Sequence, residues 1–278
     1  MFKILKKSSL NEYVTHMVLD APDIAKKALP GQFVILRVDE FGERIPLTIF
    51  NANKVTGSIE IIYQKVGVST YKLDSKNEND YILDLVGPLG KPTNLSGYKR
   101  AILVSGGVGT AVAYPIAKGL FENGCSVETI LGFRNKNLII LHSEMSNVSC
   151  KLDTVTNDGS NGFKGLVTDV LNEKLSKNSD YDVVISVGPL IMMREVNKIA
   201  CEYKIKSIVS MTAIMIDGTG MCGGCRINVD GKVKFACIDG PDFDGSKVDF
   251  DNAMDRSRTF EFEENLEREK YCKLFEGV

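Results

Sequence analysis

The chain has 278 residues, 44% of them hydrophobic and 25% charged, enough to bury cores in two or three domains. Its formal net charge of −2 argues against the strongly basic surface that nucleic acid or an anionic membrane attracts. The N-terminus MFKILKKSSLNEYV turns polar after five residues and no run of about 18 apolar residues occurs anywhere, so neither a signal peptide nor a membrane span is expected and a cytoplasmic location is.

Residues 1–97 are a succession of short apolar or alternating runs (YVTHMVLDA, QFVILRVD, PLTIFNA, SIEIIYQKV, YILDLVGPLG) broken by PG, FGE, KVTG and GPLGKP. Such spacing predicts six strands in a small antiparallel barrel with almost no helix. Two polar breaks stand out, RIPLT at 44–48 and GVST at 67–70. Arg44 can hold a phosphate bidentately and Thr48 can hydrogen-bond a flavin ring nitrogen. Ser69 and Thr70, beside Gly67, can join backbone amides around a second phosphate. Pro46 and Leu47 lie inside the first motif, and Ile62 and Tyr63 lead up to the second, so all four are assigned to the same cofactor site. Either motif alone is equally ordinary turn chemistry; their meaning comes from standing together ahead of a nucleotide-type domain.

From residue 98 to 210 the texture alternates. AILVS, VETILGF, KLDTVTND, DVVISVG and SIVSMT are strand-like, and GGVGTAVAYPIAKGLFENG, VTDVLNEKL and LIMMREVNKIACEYK are helix-like, which predicts an α/β domain with a parallel sheet covered on both faces. VSGGVGTA, with Gly106, Gly107, Gly109 and Thr110, bends from a strand into a helix and lets amides approach a diphosphate, although its spacing is not G-x-G-x-x-G. Gly188 and Pro189 end a later strand, and TNDGSNGFKGLVTD, which contains Asp158, ends at a helix that Thr168 or Asp169 can cap. Three glycine-bearing turns after strands predict a bound nucleotide. Arg134 and Lys136 follow the second strand, where they either read a ribose 2'-phosphate or are solvated charges, so NAD and NADP both stay open.

Residues 211–245 are glycine- and cysteine-rich. Of the seven cysteines, Cys125, Cys150, Cys201 and Cys272 stand alone and are expected to be inert, while three gather in D-x4-C-x2-C-x11-C, comprising Asp217, Cys222, Cys225 and Cys237. Clustering of this kind favours metal or redox chemistry over crosslinks in a reducing compartment. The first two spacings match a plant-type [2Fe-2S] pattern with its first cysteine replaced, and iron accepts a carboxylate. Asp239 and Asp242 are alternative oxygen donors. A zinc-stabilised nucleotide-binding module is a rival, weakened because His16 and His142 are remote in sequence. The tail, 246–278, carries nine acids, six bases and scattered Phe260, Phe262, Leu266, Leu274 and Phe275; it is either a helix packed on its own domain or a partner contact.

In this order, R-x-x-x-T, G-x-S-T, GGVGTA, GPLIMM and DGTGMCGGC with AC at 236–237 resemble the ferredoxin-NADP reductase superfamily, in the branch with a C-terminal [2Fe-2S] domain. That branch includes the electron-transfer subunits of class B dihydroorotate dehydrogenase and, more similar still, the small subunits of NADH-dependent reduced ferredoxin:NADP oxidoreductases. The resemblance implies FAD between the barrel and an NAD(H)-binding domain. It also implies a [2Fe-2S] relay to a larger flavoprotein subunit with its own FAD and [4Fe-4S] clusters, through which ferredoxin is reached. An electron-transfer subunit of dihydroorotate or sulfide dehydrogenase is the alternative. Thr48 matches the flavin-ring hydroxyl of the family's R-x-Y-S. Arg44 stands one residue further from it than that pattern has, with Ile45 in the usual arginine place. Gly67, Ser69 and Thr70 match the phosphate turn, Gly106, Gly107 and Gly109 the nicotinamide diphosphate loop, and Val187 replaces the family's cysteine before G-P. An aspartate as first cluster ligand is implied to tune the cluster potential.

Overall fold

The computed structural model describes residues 1–275, with side chains to residue 270. The first part contains β1 (Phe2–Ser9), β2 (Val14–Asp20), α1 (Pro22–Ala25), β3 (Phe33–Arg37), β4 (Arg44–Asn53), β5 (Ser58–Gln64), α2 (Val68–Asp74), β6 (Tyr81–Ile82) and β7 (Asp84–Leu89). Its strands form an antiparallel seven-stranded sheet in the order β6-β1-β2-β5-β4-β3-β7. The two edge strands are separated in sequence by Leu83 alone, so the sheet must curl back towards itself. Against the six strands expected there are seven: the quoted runs supply β2 to β5 and, because YILDLVGPLG breaks at Leu83, whose amide turns aside to donate to Val38 O at 3.2 Å, both β6 and β7, and the N-terminal segment adds β1. The polar GVST break is the start of a helix, α2, rather than a bend between strands.

Alternation divides the barrel residues between two environments. Val34, Leu36, Ile59, Ile61 and Tyr63 point into the barrel with Met17 and Leu19. Phe33 and Ile35 of β3 point outward against Cys225 and Cys237. Phe50 and Ile62 point outward against the second part of the molecule. This wall is therefore apolar on both faces.

The second part contains β8 (Arg100–Gly106), α3 (Gly109–Glu122), β9 (Ser126–Phe133), α4 (His142–Asn147), β10 (Lys151–Thr156), α5 (Val167–Lys177), β11 (Val183–Val187), α6 (Leu190–Glu202) and β12 (Lys206–Ser210). Its strands are parallel in the order β10-β9-β8-β11-β12. Ala101 and Leu103 of β8 face α3 and α4, whereas Ile102 and Val104 face α5 and α6. Burial on both sides explains the unbroken apolar runs of these strands. The strand order reverses between β8 and β11, which makes the crevice at their carboxyl ends the topological switch point.

A hairpin of β13 (Arg226–Val229) and β14 (Lys232–Phe235) is followed by α7 (Ala236–Asp239) and β15 (Asp242–Asp244). β15 pairs antiparallel with β12, so the cysteine-rich segment contributes an edge strand to the nucleotide sheet. In the tail, α8 (Phe250–Ser257) buries Phe250 and Ala253 against Met193, Val209 and Ile227. α9 (Glu261–Phe275) touches α2 and is exposed at every residue from 261 to 270. The tail thus packs on its own domain in α8 and not in α9; the side chains of Cys272, Leu274 and Phe275 lie outside the described residues. Among the described residues no helix is long and apolar enough to cross a membrane.

Candidate functional site

β3 and β4 pair with Phe33 opposite Thr48, Ile35 opposite Pro46 and Arg37 opposite Arg44. The period of two puts Arg44, Pro46 and Thr48 on the outer face that also carries Phe50, whose ring stacks on Tyr114 of α3 at 4.9 Å and 23°. Ile45 and Leu47 pack on the barrel core instead, so Leu47 is open to a cofactor only through its main chain. The same parity explains the shifted arginine: position 45 faces the core, and Arg44 shares the Thr48 face.

Ser69 Oγ donates to Glu43 Oε2 at 3.1 Å, which holds the start of α2 beside the Arg44 end of β4. Thr70 Oγ1 accepts from the amides of Val66 and Gly67 at 3.0 and 3.1 Å and donates to Gly67 O at 2.8 Å. The Thr70 hydroxyl is therefore spent on shaping the turn, and the first-turn amides of Val68 and Ser69 are the groups fitted to an anion. Ile62 lies on the outer face of β5. Tyr63 is 2% exposed within the barrel core, with its hydroxyl donating to Asp74 Oδ1 at 3.4 Å. Burial and the Asp74 charge hold the phenol far above its ordinary value, and its side chain is not brought to the cofactor face.

At the switch point, Gly107 takes φ +57° and its amide donates to Gly132 O at 2.9 Å. Thr110 Oγ1 lies 3.1 Å from Ser105 Oγ, both buried. A Cβ on Gly106 would stand 3.1 Å from Pro189 Cδ, one on Gly109 2.6 Å from Val187 O, and one on Gly188 3.1 Å from Gly106 N. These glycines let the turns after β8 and β11 touch, so α3 and α6 open side by side over one crevice. Asp158 follows β10, and its Oδ1 accepts from Ser160 N at 2.9 Å. The Ser160 hydrogen bonds hold this exposed carboxyl below its usual range. Lys136 N donates to Ser160 Oγ at 2.7 Å, tying the loops after β9 and β10 together; Arg134 and Lys136 are both exposed beside them.

The cysteine loop turns at Gly218, Gly220 and Gly223, all at left-handed φ between +68° and +84°. Asp217 Oδ1 accepts from Thr219 N at 2.8 Å and Oδ2 from Cys222 N at 2.7 Å, and these bonds, that of Thr219 foremost, lower its pKa. Cys222 is exposed, and Gly224 N donates to its Sγ at 3.4 Å. Cys225 and Cys237 are buried with Sγ atoms 3.1 Å apart. Burial, with Cys225 beside it, pushes the Cys237 thiol up to about 12.

A buried thiol held this high, as Cys237 is, stays protonated unless a cation replaces its proton. Three sulfurs, amide donors turned towards sulfur, and no histidine in the loop fit an iron–sulfur cluster better than structural zinc. His16 Nε2 is 2.7 Å from Glu60 Oε2, on the barrel side. Among the described residues no three ligand-type side chains converge on one point: Cys222 does not join the Cys225–Cys237 pair, and the Asp217 carboxylate is turned to its own loop's amides. The alternative donors are engaged elsewhere: Asp239 Oδ2 accepts from Phe235 N at 2.9 Å, and Asp242 accepts the Thr93 hydroxyl. The sequence reading missed Phe33 and Ile35 as the contact to this loop; their signal is the unbroken run FVIL, which marks a strand buried on both faces.

Residues 212–249 match the model of the iron-sulfur cluster binding domain of dihydroorotate dehydrogenase B. A Thermotoga maritima protein described as a dihydroorotate dehydrogenase B (NAD(+)) electron transfer subunit homolog is 43% identical over 98% of this chain and 95% of its own. The Desulforamulus reducens electron transfer subunit is 31% identical over 84% of this chain and 91% of its own. Among solved structures, a chain of the NADH-dependent reduced ferredoxin-NADP oxidoreductase, studied for flavin-based electron bifurcation, superimposes with a TM-score of 0.93 at 41% identity, covering 98% of both chains. The ferredoxin reductase of carbazole 1,9a-dioxygenase, at 16% identity and a TM-score of 0.60 over 73% of this chain and 65% of that one, shares the fold.

Proposed function

This chain belongs to the family of dihydroorotate dehydrogenase B electron-transfer subunits and their homologues, and on that premise we propose that it is the small subunit of an electron-bifurcating NADH-dependent reduced ferredoxin:NADP oxidoreductase. It exchanges hydride between NAD(H) and FAD, and single electrons through a [2Fe-2S] cluster with a larger flavoprotein subunit. That partner carries its own FAD and [4Fe-4S] clusters and is the route to ferredoxin.

The observation that carries this reading is the shared outer face of β3 and β4. Thr48, on the flavin side, stands directly opposite Phe33, and Phe33 and Ile35 pack against Cys225 and Cys237. Cross-strand partners lie about 5 Å apart, so the flavin site and the cluster loop are separated by one layer of side chains. Along that face the Thr48 hydroxyl orients the flavin ring, and Arg44 with the α2 amides holds its diphosphate. The Gly106–Gly109 and Gly188–Pro189 turns seat the nicotinamide nucleotide over it, with Asp158 at the adenosine end. FAD supplies the conversion between a hydride and single electrons. No acid–base residue is required, because the protein's part is orientation. Asp217, Cys222, Cys225 and Cys237 form the cluster's ligand set, with Asp217 leaving its amide partners to do so.

The match of residues 212–249 to the dihydroorotate dehydrogenase B domain favours a second reading, the electron-transfer subunit of that enzyme or of a sulfide dehydrogenase. An anaerobic NADH titration of the purified chain tests the relay. Flavin bleaching and then the EPR signal of a reduced [2Fe-2S] cluster are expected, and a colourless, zinc-containing protein overturns it. Reconstitution with each candidate large subunit separates the two readings, since only the cognate pair turns over NADH.

A further inference from the structure

The last turn of α8 carries Arg256, whose guanidinium reaches back over the cysteine loop. Its Nε donates to Arg226 O at 2.9 Å and its Nη2 to Gly224 O at 3.1 Å. These carbonyls flank Cys225, whose own carbonyl accepts from Ala236 N at 3.0 Å. The main chain is thus clamped on both sides of one thiol. Among the described residues no carboxylate pairs with Arg256, and its side chain is half-buried, so its charge is delivered to these two peptides. A polarised Gly224 carbonyl makes the amide of the same peptide, that of Cys225, a stronger donor.

The clamp is not what holds α8 in place. Phe250 and Ala253 bury the helix, Asp249 Oδ1 caps it by accepting from Asn252 N at 3.0 Å, and Asp251 Oδ1 accepts from Arg194 Nη1 at 3.1 Å.

Resting on the functional reading above, we propose that Arg256 is a positioning residue that fixes Cys225 and raises the reduction potential of the cluster it binds. One-electron reduction adds a negative charge, and a nearby uncompensated cation with its polarised peptides favours the reduced state. The residue contributes no ligand and touches no substrate; it acts through the Gly224 and Arg226 peptides.

The test is an EPR-monitored redox titration of the anaerobically purified full chain, with iron content measured in parallel. Arg256→Met and Arg256→Gln are expected to titrate at more negative potential, so that at the wild-type midpoint the ratio of reduced to oxidised cluster falls about tenfold, the scale of one partly screened unit charge. Arg256→Lys, which keeps the charge, is expected to restore most of that ratio. Asp251→Asn, which loosens α8 without touching the loop, is expected to leave the midpoint unmoved, and NADH bleaching of the flavin is expected to be the same in all four. An iron-loaded Arg256→Met or Arg256→Gln chain that titrates as wild type overturns the assignment, as does Asp251→Asn shifting as far as either. A wild-type chain with no [2Fe-2S] signal overturns the functional reading itself, and with it this one.

Discussion

Asp242 is a carboxylic acid on which burial acts directly. The residue is half-buried, but its Oδ1 is shut off from solvent with no hydrogen-bond partner among the described residues, while Oδ2 accepts the Thr93 hydroxyl. Burial raises its pKa, so the folded chain holds a proton that the unfolded chain has lost above its ordinary value of about 3.9. Where the folded state binds more protons, stability falls as pH rises. The neutral acid's contribution is therefore complete below about pH 4 and is lost as pH climbs through the raised folded value. Asp242→Asn, neutral throughout, is expected to raise the melting temperature at pH 8 by a few degrees, about 1 kcal/mol at roughly 2–4 °C per kcal/mol, and to give no gain at pH 4. Thermal melts at the two pH values check this. Asp217 makes the opposite case, an acid held charged by its own loop. If it is the first ligand, Asp217→Cys moves the cluster midpoint in a redox titration, and an unmoved midpoint removes it from the ligand set. Its candidacy was legible from spacing alone. Its bonds to Thr219 and Cys222 were not, because hydrogen bonds inside a glycine loop leave no sequence period.

At the scale of elements, the parallel sheet was legible because its strands are buried on both faces and read as continuous apolar runs, punctuated by glycine. α2 was not: seven residues are too few for a helical period, and its cap is a Thr70 hydroxyl folded back on Gly67, which reads equally well as a turn. The side assigned to Leu47 and Tyr63 was lost for a related reason. Runs such as RIPLT and SIEIIYQ contain apolar residues facing both the barrel core and the cleft, so hydrophobicity does not tell the faces apart. The glycines of the nucleotide crevice carried more meaning than their motif, since two turns must touch there. Gly109→Ala would place a Cβ 2.6 Å from Val187 O and 3.0 Å from Gly188 Cα, both backbone atoms that cannot swing away. Forcing the two turns apart is expected to raise the KM for NADH about tenfold, near 1.4 kcal/mol of binding, with the cluster's EPR signal after dithionite unchanged. Steady-state NADH–dye reductase assays measure it.

In the whole molecule, the cysteine-rich segment behaves as a wedge between the two larger parts. β15 extends the nucleotide sheet, Met211 N donates to Pro241 O at 2.9 Å, and Lys91 N, just beyond the barrel, donates to Gly240 O at 2.6 Å. The barrel side of the wedge is the Gly218 bend. At φ +73°, a Cβ there would lie 2.6 Å from Leu89 Cδ1 and 2.8 Å from Ile35 Cγ1. Gly218→Ala combines a left-handed penalty of about 1–2 kcal/mol with a clash against two barrel side chains, and the cheapest relief is for the loop to lift off β3. Lifting it lengthens the path from the Thr48 face to the cysteines without disturbing the Gly106–Gly109 and Gly188 turns, where the proposed NADH site lies. Stopped-flow reduction should then split the two steps: flavin bleaching by NADH at the wild-type rate, and a cluster signal that develops several-fold more slowly. If both steps slow together, the wedge orders the flavin site as well. If neither slows, electrons do not cross the Phe33–Ile35 face, and the placement of the relay on that face is wrong.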